Sequence, residues 1–335
     1  MSGEAASGRP SEDALIARYF APIAGPGADA LRDDAAALTP SPGHDLVLTA
    51  DAIVAGIHYF ADDPPASIAR KALAVNLSDL AAKGAGPRGF LLTLALPPDW
   101  TEAWLAGFAA GLAEASAAFG CPLLGGDTVR AAGPALIGVT AIGEVPRGGM
   151  VRRPAARAGE RICVTGTIGD AALGLALRLA PDAGWAAALA PEERAHLLDR
   201  YLHPRPRLSL APILRRYAGA AMDVSDGLAG DLAKLLRASA RGGAVSIPEI
   251  PLSTAAARAI AAAPGLLDTA LTGGDDYEVL CTVAPENLAE FRAEAAAAGI
   301  AVAAIGTVLP DPGPPEFAGR EGVPRIFAAG SFSHF

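Results

Sequence analysis

Lys71-Ala-Leu-Ala-Val-Asn-Leu-Ser-Asp-Leu-Ala-Ala-Lys-Gly-Ala85 places one carboxylate inside an otherwise apolar stretch. Ile68, Ala72, Val75 and Leu80 recur at helical spacing, which predicts a helix over 66–83. Asp79 lies within that helix. Burying an unpaired carboxylate costs several kcal/mol, so Asp79 needs a cation, a hydrogen-bond donor or a share in a metal ion. Lys71 and Lys83 are the nearby cations, and Asp79 to Lys83 is an i,i+4 spacing.

Moving outward, strands are expected at Asp45–Asp51 and at Phe90–Leu96, the second stopped by Pro97 and Pro98. A helix should follow, with Asp99 and Glu102 in the pattern of a capping box and Trp100, Trp104, Phe108 and Leu112 four residues apart. Further strands are read at Leu136–Val145, at Arg161–Thr165 and up to Val224. Helices are read at 11–21, 170–180, 191–202, 207–218 and around Leu228, Leu232, Leu235 and Leu236. Alternation continues to about residue 308, and the Pro/Gly-rich 310–325 reads as loop. The class is mixed α/β, of α+β type. The Gly/Arg/Pro-rich stretch 146–160 marks a domain boundary, giving domains 1–148 and 149–335.

The chain has 335 residues, of which 51% are hydrophobic and 19% charged, enough for two cores. A net charge of −9 repels nucleic acid, so no such partner is expected. No uncharged run reaches the ~18 residues of a membrane span, and Met1–Pro10 lacks the pattern of a signal peptide. A cytoplasmic protein with no membrane partner is expected. Cys121, Cys163 and Cys281 are scattered in apolar contexts and read as buried thiols.

The aspartates carry the chemistry. Asp33-Asp34, Asp51, Asp79, Asp127, Asp223, Asp226 and Asp275-Asp276 lie beside Gly, Ala and Leu at element ends or on apolar helices. Some have a local explanation, because Asp170 and Asp226 each stand where a helix N-cap would stand. Taken together they form an oxygen-only donor set, which suits Mg²⁺, and Mg²⁺ usually brings a phosphate ligand with it. Gly125-Gly-Asp-Thr128, Gly166-Thr-Ile-Gly169 and Gly273-Gly274 permit close backbone approach. Gly166–Gly169 reads either as an ordinary strand-to-helix turn or as a helix N-terminus facing an anion. Gly84-Ala-Gly-Pro-Arg-Gly89 fits GxGxxG but follows a helix and precedes a strand, the wrong context for a dinucleotide. GxxxxGK[ST] is absent.

In order along the chain stand Arg32-Asp-Asp-Ala-Ala, Thr49-Ala-Asp with Val54-Ala-Gly-Ile-His58, the 71–85 block and Gly125-Gly-Asp-Thr. They are followed by Val164-Thr-Gly-Thr-Ile-Gly-Asp-Ala-Ala-Leu-Gly-Leu175, Asp223-Val-Ser-Asp-Gly-Leu228 and Gly273-Gly-Asp-Asp-Tyr-Glu278. This series resembles the thiamine-monophosphate kinase family, within the aminoimidazole ribonucleotide synthetase-like superfamily, from Ala14 to Phe335. The resemblance implies ATP-dependent phosphorylation of thiamine monophosphate to thiamine diphosphate. It implies a homodimer whose N-terminal domains build a shared β-barrel, with ATP in a cleft between N- and C-terminal elements.

By the same resemblance Asp33, Asp51, Asp79, Asp127 and Asp223 ligate several Mg²⁺ ions, Asp226 holds a further one and Thr49 adds its hydroxyl. Asp34, beside Asp33, is counted with this set. Gly126, Asp127, Arg153 and Ser225 contact ATP. His58 and Asp275 face the thiamine phosphate, and Phe332 stacks on the thiamine ring. Three departures stand out: the family usually has Gly at Arg32, Thr at Ala50 and Glu at Asp275. The nucleophile would be a phosphate oxygen, already anionic, so no general base or covalent phosphoenzyme is expected and catalysis is positioning and charge neutralisation. The rivals are a sister ATP-dependent synthetase of the same fold and a non-catalytic Mg-nucleotide binder. The N-terminus lacks the reactive Cys and Lys of a selenophosphate synthetase, and the chain ends in Phe332-Ser-His-Phe335 rather than the Cys of the hydrogenase-maturation relative.

Overall fold

The structure, a computed structural model, describes residues 10–319, 322 and 324–327. The chain forms two compact units. The first comprises 1–76 and 87–144, and the second comprises 77–86 and 145–335. The segment 77–86, which a linear reading leaves in the N-terminal domain, therefore belongs to the second unit.

The first unit opens with α1 (Glu12–Leu15), which widens into a π-helical turn at Ile16–Phe20. Then come β1 (His44–Val54), α2 (Pro65–Ala82), β2 (Gly86–Leu96), α3 (Glu102–Phe119), β3 (Leu123–Arg130) and β4 (Leu136–Pro146). The sheet order is β1-β4-β2-β3, with β2 and β3 parallel. β4 alternates strictly between buried and half-buried side chains, so Ile137, Val139 and Ala141 face the core. α3 starts differently from the expectation. Thr101, not Asp99, is the N-cap, its hydroxyl accepting from the Trp104 N–H at 3.1 Å. The four-residue spacing holds nonetheless, with Trp104 stacked on Phe108 at 5.2 Å and Phe108 and Leu112 buried. Gly111 lets α3 press on the start of α2, since a Cβ there would lie 2.3 Å from the Ala66 Cα.

The second unit holds a mixed sheet of order β11-β10-β7-β9-β5-β8-β6. Its elements are β5 (Arg161–Thr165), α4 (Asp170–Leu179), α5 (Pro191–Leu202), α6 (Ala211–Tyr217), β6 (Ala218–Val224), α7 (Leu228–Ala238) and β7 (Gly242–Ser246). They continue with α8 (Thr254–Ala262), α9 (Leu266–Thr272), β8 (Glu278–Val283), α10 (Leu288–Ala297), β9 (Val302–Leu309), β10 (Pro315–Ala318) and β11 (Pro324–Arg325). The interior strand β5, between β9 and β8, feeds two cores by alternation. Ile162 and Val164 join the leucines of α7, and Cys163 joins Leu214, Cys281 and Phe291.

Two expectations change here. α6 begins at Ala211 after a 3₁₀ turn at Leu208–Leu210, not at 207. The tail is not all loop, because Pro315–Ala318 pairs in parallel with β7 and buries Phe317. Pro315 is tolerated as the first residue of that strand. All three cysteines are buried and free, and burial pushes the Cys121 and Cys163 thiols up to about 12. Among the described residues no helix is long and apolar enough to cross a membrane.

Candidate active site

The acidic residues fall into two groups, one in each unit. In the first unit Asp33 and Asp34 are exposed, and Asp34 donates its N–H to Asp33 Oδ1 at 2.8 Å. Just before them Asp29, Ala30 and Leu31 have φ of 42°, 52° and 58°. Left-handed backbone costs such residues roughly 1–2 kcal/mol each, so something must hold the turn. Arg32 does so, its guanidinium bonding the Asp29 carbonyl at 3.1 Å and Asp29 Oδ1 at 2.8 Å. The departure from the family's glycine thus supplies a brace for the loop that carries Asp33.

Asp33, Asp34, Gly126 and Asp127 line one cavity of about 670 Å³, with Thr93 and Thr128. The parallel register sets Asp127 opposite Thr93 and Gly126 opposite Leu92. A side chain at Gly126 would put its Cβ 2.0 Å from the Leu92 carbonyl oxygen, so glycine is required there by the neighbouring strand. On β1, Thr49 and Asp51 share a face with buried Val47 and Ile53, and Ala50 points the other way. The threonine-to-alanine departure therefore lies on the face away from Thr49 and Asp51. Buried Asn76 accepts from the Asp51 N–H at 2.9 Å and donates to the Ala72 carbonyl at 3.1 Å, fixing β1 on α2. Sequence reading gave Asn76 no role. A lone amide in an apolar helix was the available signal.

His58 Nδ1 accepts from the Val54 N–H at 3.0 Å, so in the neutral ring the proton sits on Nε2. Buried Lys71 donates to the His58 carbonyl at 3.0 Å and so orients this segment.

In the second unit the acids are enclosed. Asp79 is half-buried on α2 and Asp223 is buried on β6. Lys83 donates to the Ala221 carbonyl at 2.7 Å. Its pKa is lowered, first by burial and then by Arg153, against the opposing pull of Asp223 and Asp79. Those three charged groups therefore share one neighbourhood with an ammonium that sequence reading did not place in the site. Arg153 is exposed, and its carbonyl accepts from Ser239 Oγ at 3.1 Å.

The turn after β6 is held from within. Fully buried Asp231 accepts from the Ser225 and Asp226 N–H groups at 2.9 Å each, and Lys234 bridges Asp231 Oδ1 (2.9 Å) and Asp226 Oδ2. Asp226 is not the cap of α7. Gly227, at φ 112°, stands there, because a Cβ would meet the Thr272 backbone at 2.6 Å. The 273–277 segment lies along the same turn, with the Asp275 N–H on the Ser225 carbonyl and the Tyr277 N–H on the Val224 carbonyl, both at 2.8 Å. Asp275 and Tyr277 have φ of 72° and 50°, a strained pair held by these bonds.

Asp170 is likewise no cap. It is the first residue of α4, buried, and it accepts from Thr167, Ser253 and His196. The start of α4 does face a carboxyl group, and it is the protein's own. Asp276, fully buried, accepts from the Gly169 N–H at 2.7 Å and the Ala171 N–H at 3.3 Å. Burial pushes the Asp276 carboxyl well up, against the pull of those N–H groups. Beside it buried Glu278 takes Arg200, Arg207 and Thr165. Arg200 also holds the Asp276 carbonyl at 3.1 Å. Phe332 lies outside the described residues.

Among the described residues no three His, Cys, Asp or Glu side chains converge into a closed metal cage. The donors in both groups are oxygen only.

Two family models match the chain. AIR synthase related protein, N-terminal domain, covers residues 32–145, and AIR synthase related protein, C-terminal domain, covers 157–315. The thiamine-monophosphate kinase of Caulobacter vibrioides is 40% identical over 96% of this chain and 88% of its own length. The chain belongs to the thiamine-monophosphate kinase family. The crystal structure of thiamine-monophosphate kinase from Stenotrophomonas maltophilia K279a superposes with a TM-score of 0.78 at 38% identity, covering 86% of this chain and 89% of that one. AaThiL complexed with AMPPCP and TMP superposes at 0.77 with 27% identity, covering 96% and 94%. The two-domain α/β architecture of the family is thus present over nearly the whole chain.

Proposed function

We propose that this chain transfers the γ-phosphoryl group of ATP to the phosphate of thiamine monophosphate, giving thiamine diphosphate and ADP by direct in-line transfer. The observation that carries this reading is the match, along 96% of the chain, to a relative whose complex holds AMPPCP and TMP. The acceptor oxygen is already anionic near neutral pH, so the residues need to position and neutralise rather than abstract a proton.

Bound Mg²⁺ would offset the repulsion between the two phosphates and align them. Asp33, Asp34, Asp127, Thr49 and Asp51 are its candidate holders in the first unit, and Asp79 and Asp223 in the second. Asp226 does not fit this role, because its Oδ2 already accepts from Lys234. Gly126, Asp127, Arg153 and Ser225 are assigned to ATP. His58 is assigned to the substrate phosphate, its ring held by the Val54 N–H on Nδ1. Asp275 is assigned to the same substrate.

A homodimer is supported by apolar side chains left exposed on the open face of the first sheet, which also carries Thr93 and Asp127: Leu48 is 64% exposed and Leu46, Leu91 and Val129 are also exposed. A shared barrel across that face, and a cytoplasmic location, complete the reading.

The test is a mass-resolved assay of purified protein with ATP, Mg²⁺ and thiamine monophosphate, with an EDTA control. Metal-dependent thiamine diphosphate and ADP in equal amounts are expected. Folded protein without product would remove the thiamine reading. Within an active enzyme, Asp79→Asn should abolish turnover while circular dichroism stays unchanged, and near-normal turnover would sink the shared-metal model.

A further inference from the structure

Lys234 lies on α7 with its ammonium between two carboxylates, Asp226 Oδ2 and Asp231 Oδ1. Its side chain is 29% exposed, that of Asp226 35%, and that of Asp231 not at all. Asp231 uses its other oxygen to accept both the Ser225 and Asp226 N–H groups. Three side chains thus hold one turn, and the charge between the two acids is already supplied by the chain.

We propose, resting on the magnesium-dependent reading above, that Lys234 occupies the cation position at Asp226, so that Asp226 positions the Ser225 turn and ligates no metal in this protein. A Mg²⁺ ion bonds carboxylate oxygen at about 2.0–2.1 Å. An ion on Asp226 Oδ2 would stand within a few ångströms of the ammonium that the same oxygen accepts. Two positive charges that close in a half-buried pocket repel strongly. Lys234 would have to withdraw, leaving buried Asp231 without its cationic partner. The tethered ammonium costs no ion uptake, so the turn carrying Ser225 is set before any metal arrives. The metals of the second unit are left to Asp79 and Asp223.

The experiment counts bound Mn²⁺ per protomer by electron paramagnetic resonance, in the presence of a non-hydrolysable ATP analogue. It compares the wild type, Asp226→Asn, Lys234→Gln and the double variant, with folding checked by circular dichroism. Asp226→Asn should leave the count unchanged. Lys234→Gln should add about one ion, and Asp226→Asn in the Lys234→Gln background should remove it again. Loss of one ion in Asp226→Asn alone would overturn the inference, as would an unchanged count in Lys234→Gln. A wild type that bound no Mn²⁺ would remove the magnesium-kinase reading instead. The Lys234 inference would then still stand or fall on whether Lys234→Gln creates a site that the double variant lacks.

Discussion

The two acidic groups of this molecule solve the same electrostatic problem in opposite ways. In the first unit Asp33, Asp34 and Asp127 are exposed and line an open cavity of about 670 Å³. Water already solvates them, so they cost the fold little and remain available to a cation. In the second unit Asp231, Asp276 and Glu278 are fully buried, and each is answered by N–H groups, a lysine or arginines from the chain itself. Those acids are part of the architecture. An aspartate in a glycine-rich context therefore has two possible meanings, and burial together with donor count separates them.

The largest effect that sharpens this contrast is expected on activity. Asp127→Asn should lower turnover by about 10²-fold or more, as for the loss of a preorganised electrostatic contact. Its denaturation midpoint should hold or rise, and a fall in that midpoint would break the contrast. Asp276→Ala should do the reverse to the fold, leaving the Gly169 and Ala171 N–H groups without their acceptor. A loss of about 1–3 kcal/mol is expected in urea unfolding, and an unchanged midpoint would show that the buried group is not structural. Gly126→Ala should cost about 1–3 kcal/mol, because its Cβ presses on the Leu92 carbonyl. If stability is unchanged and only ATP affinity falls, the glycine serves the ligand and not the strand.

The smallest effect concerns acid stability. Glu144 is held down to about 2, first by its hydrogen bond with Arg88 and further by Ser41. A lowered carboxylate pKa stabilises the fold above the ordinary carboxylate range and loses that contribution as pH falls toward 2. Glu144→Gln should therefore be less stable than the wild type at pH 7, by about 1 kcal/mol for a half-buried pair that solvent still reaches, and should approach it as the pH falls to 2. A gap that widened on acidification would contradict the assignment.

Much of the fold was legible because apolar spacing survives packing. The helix read over 66–83 spans 65–82, and the strand read at Arg161–Thr165 has those bounds. β3 was missed because Gly125 and Gly126 have no side chain to show alternation. β10 was missed because its Pro/Gly-rich flanks look like loop, although Phe317 packs fully. The helix caps misled for a different reason. An aspartate before a helix satisfies the local rule, yet at α4 the donors go to Asp276, 105 to 107 residues away in sequence.

By itself, the sequence determined the mixed α/β class, the family, and an oxygen-only set of acids suited to magnesium and phosphate, since these depend on residue type, order and short-range period. Only the tertiary structure decided which acids are spoken for. Whether Asp226 meets Lys234, or Asp276 meets the start of α4, depends on groups that folding brings within about 3 Å. Hydrogen bonds and ion pairs in a dry interior are strong enough at that range to turn a candidate ligand into a structural brace.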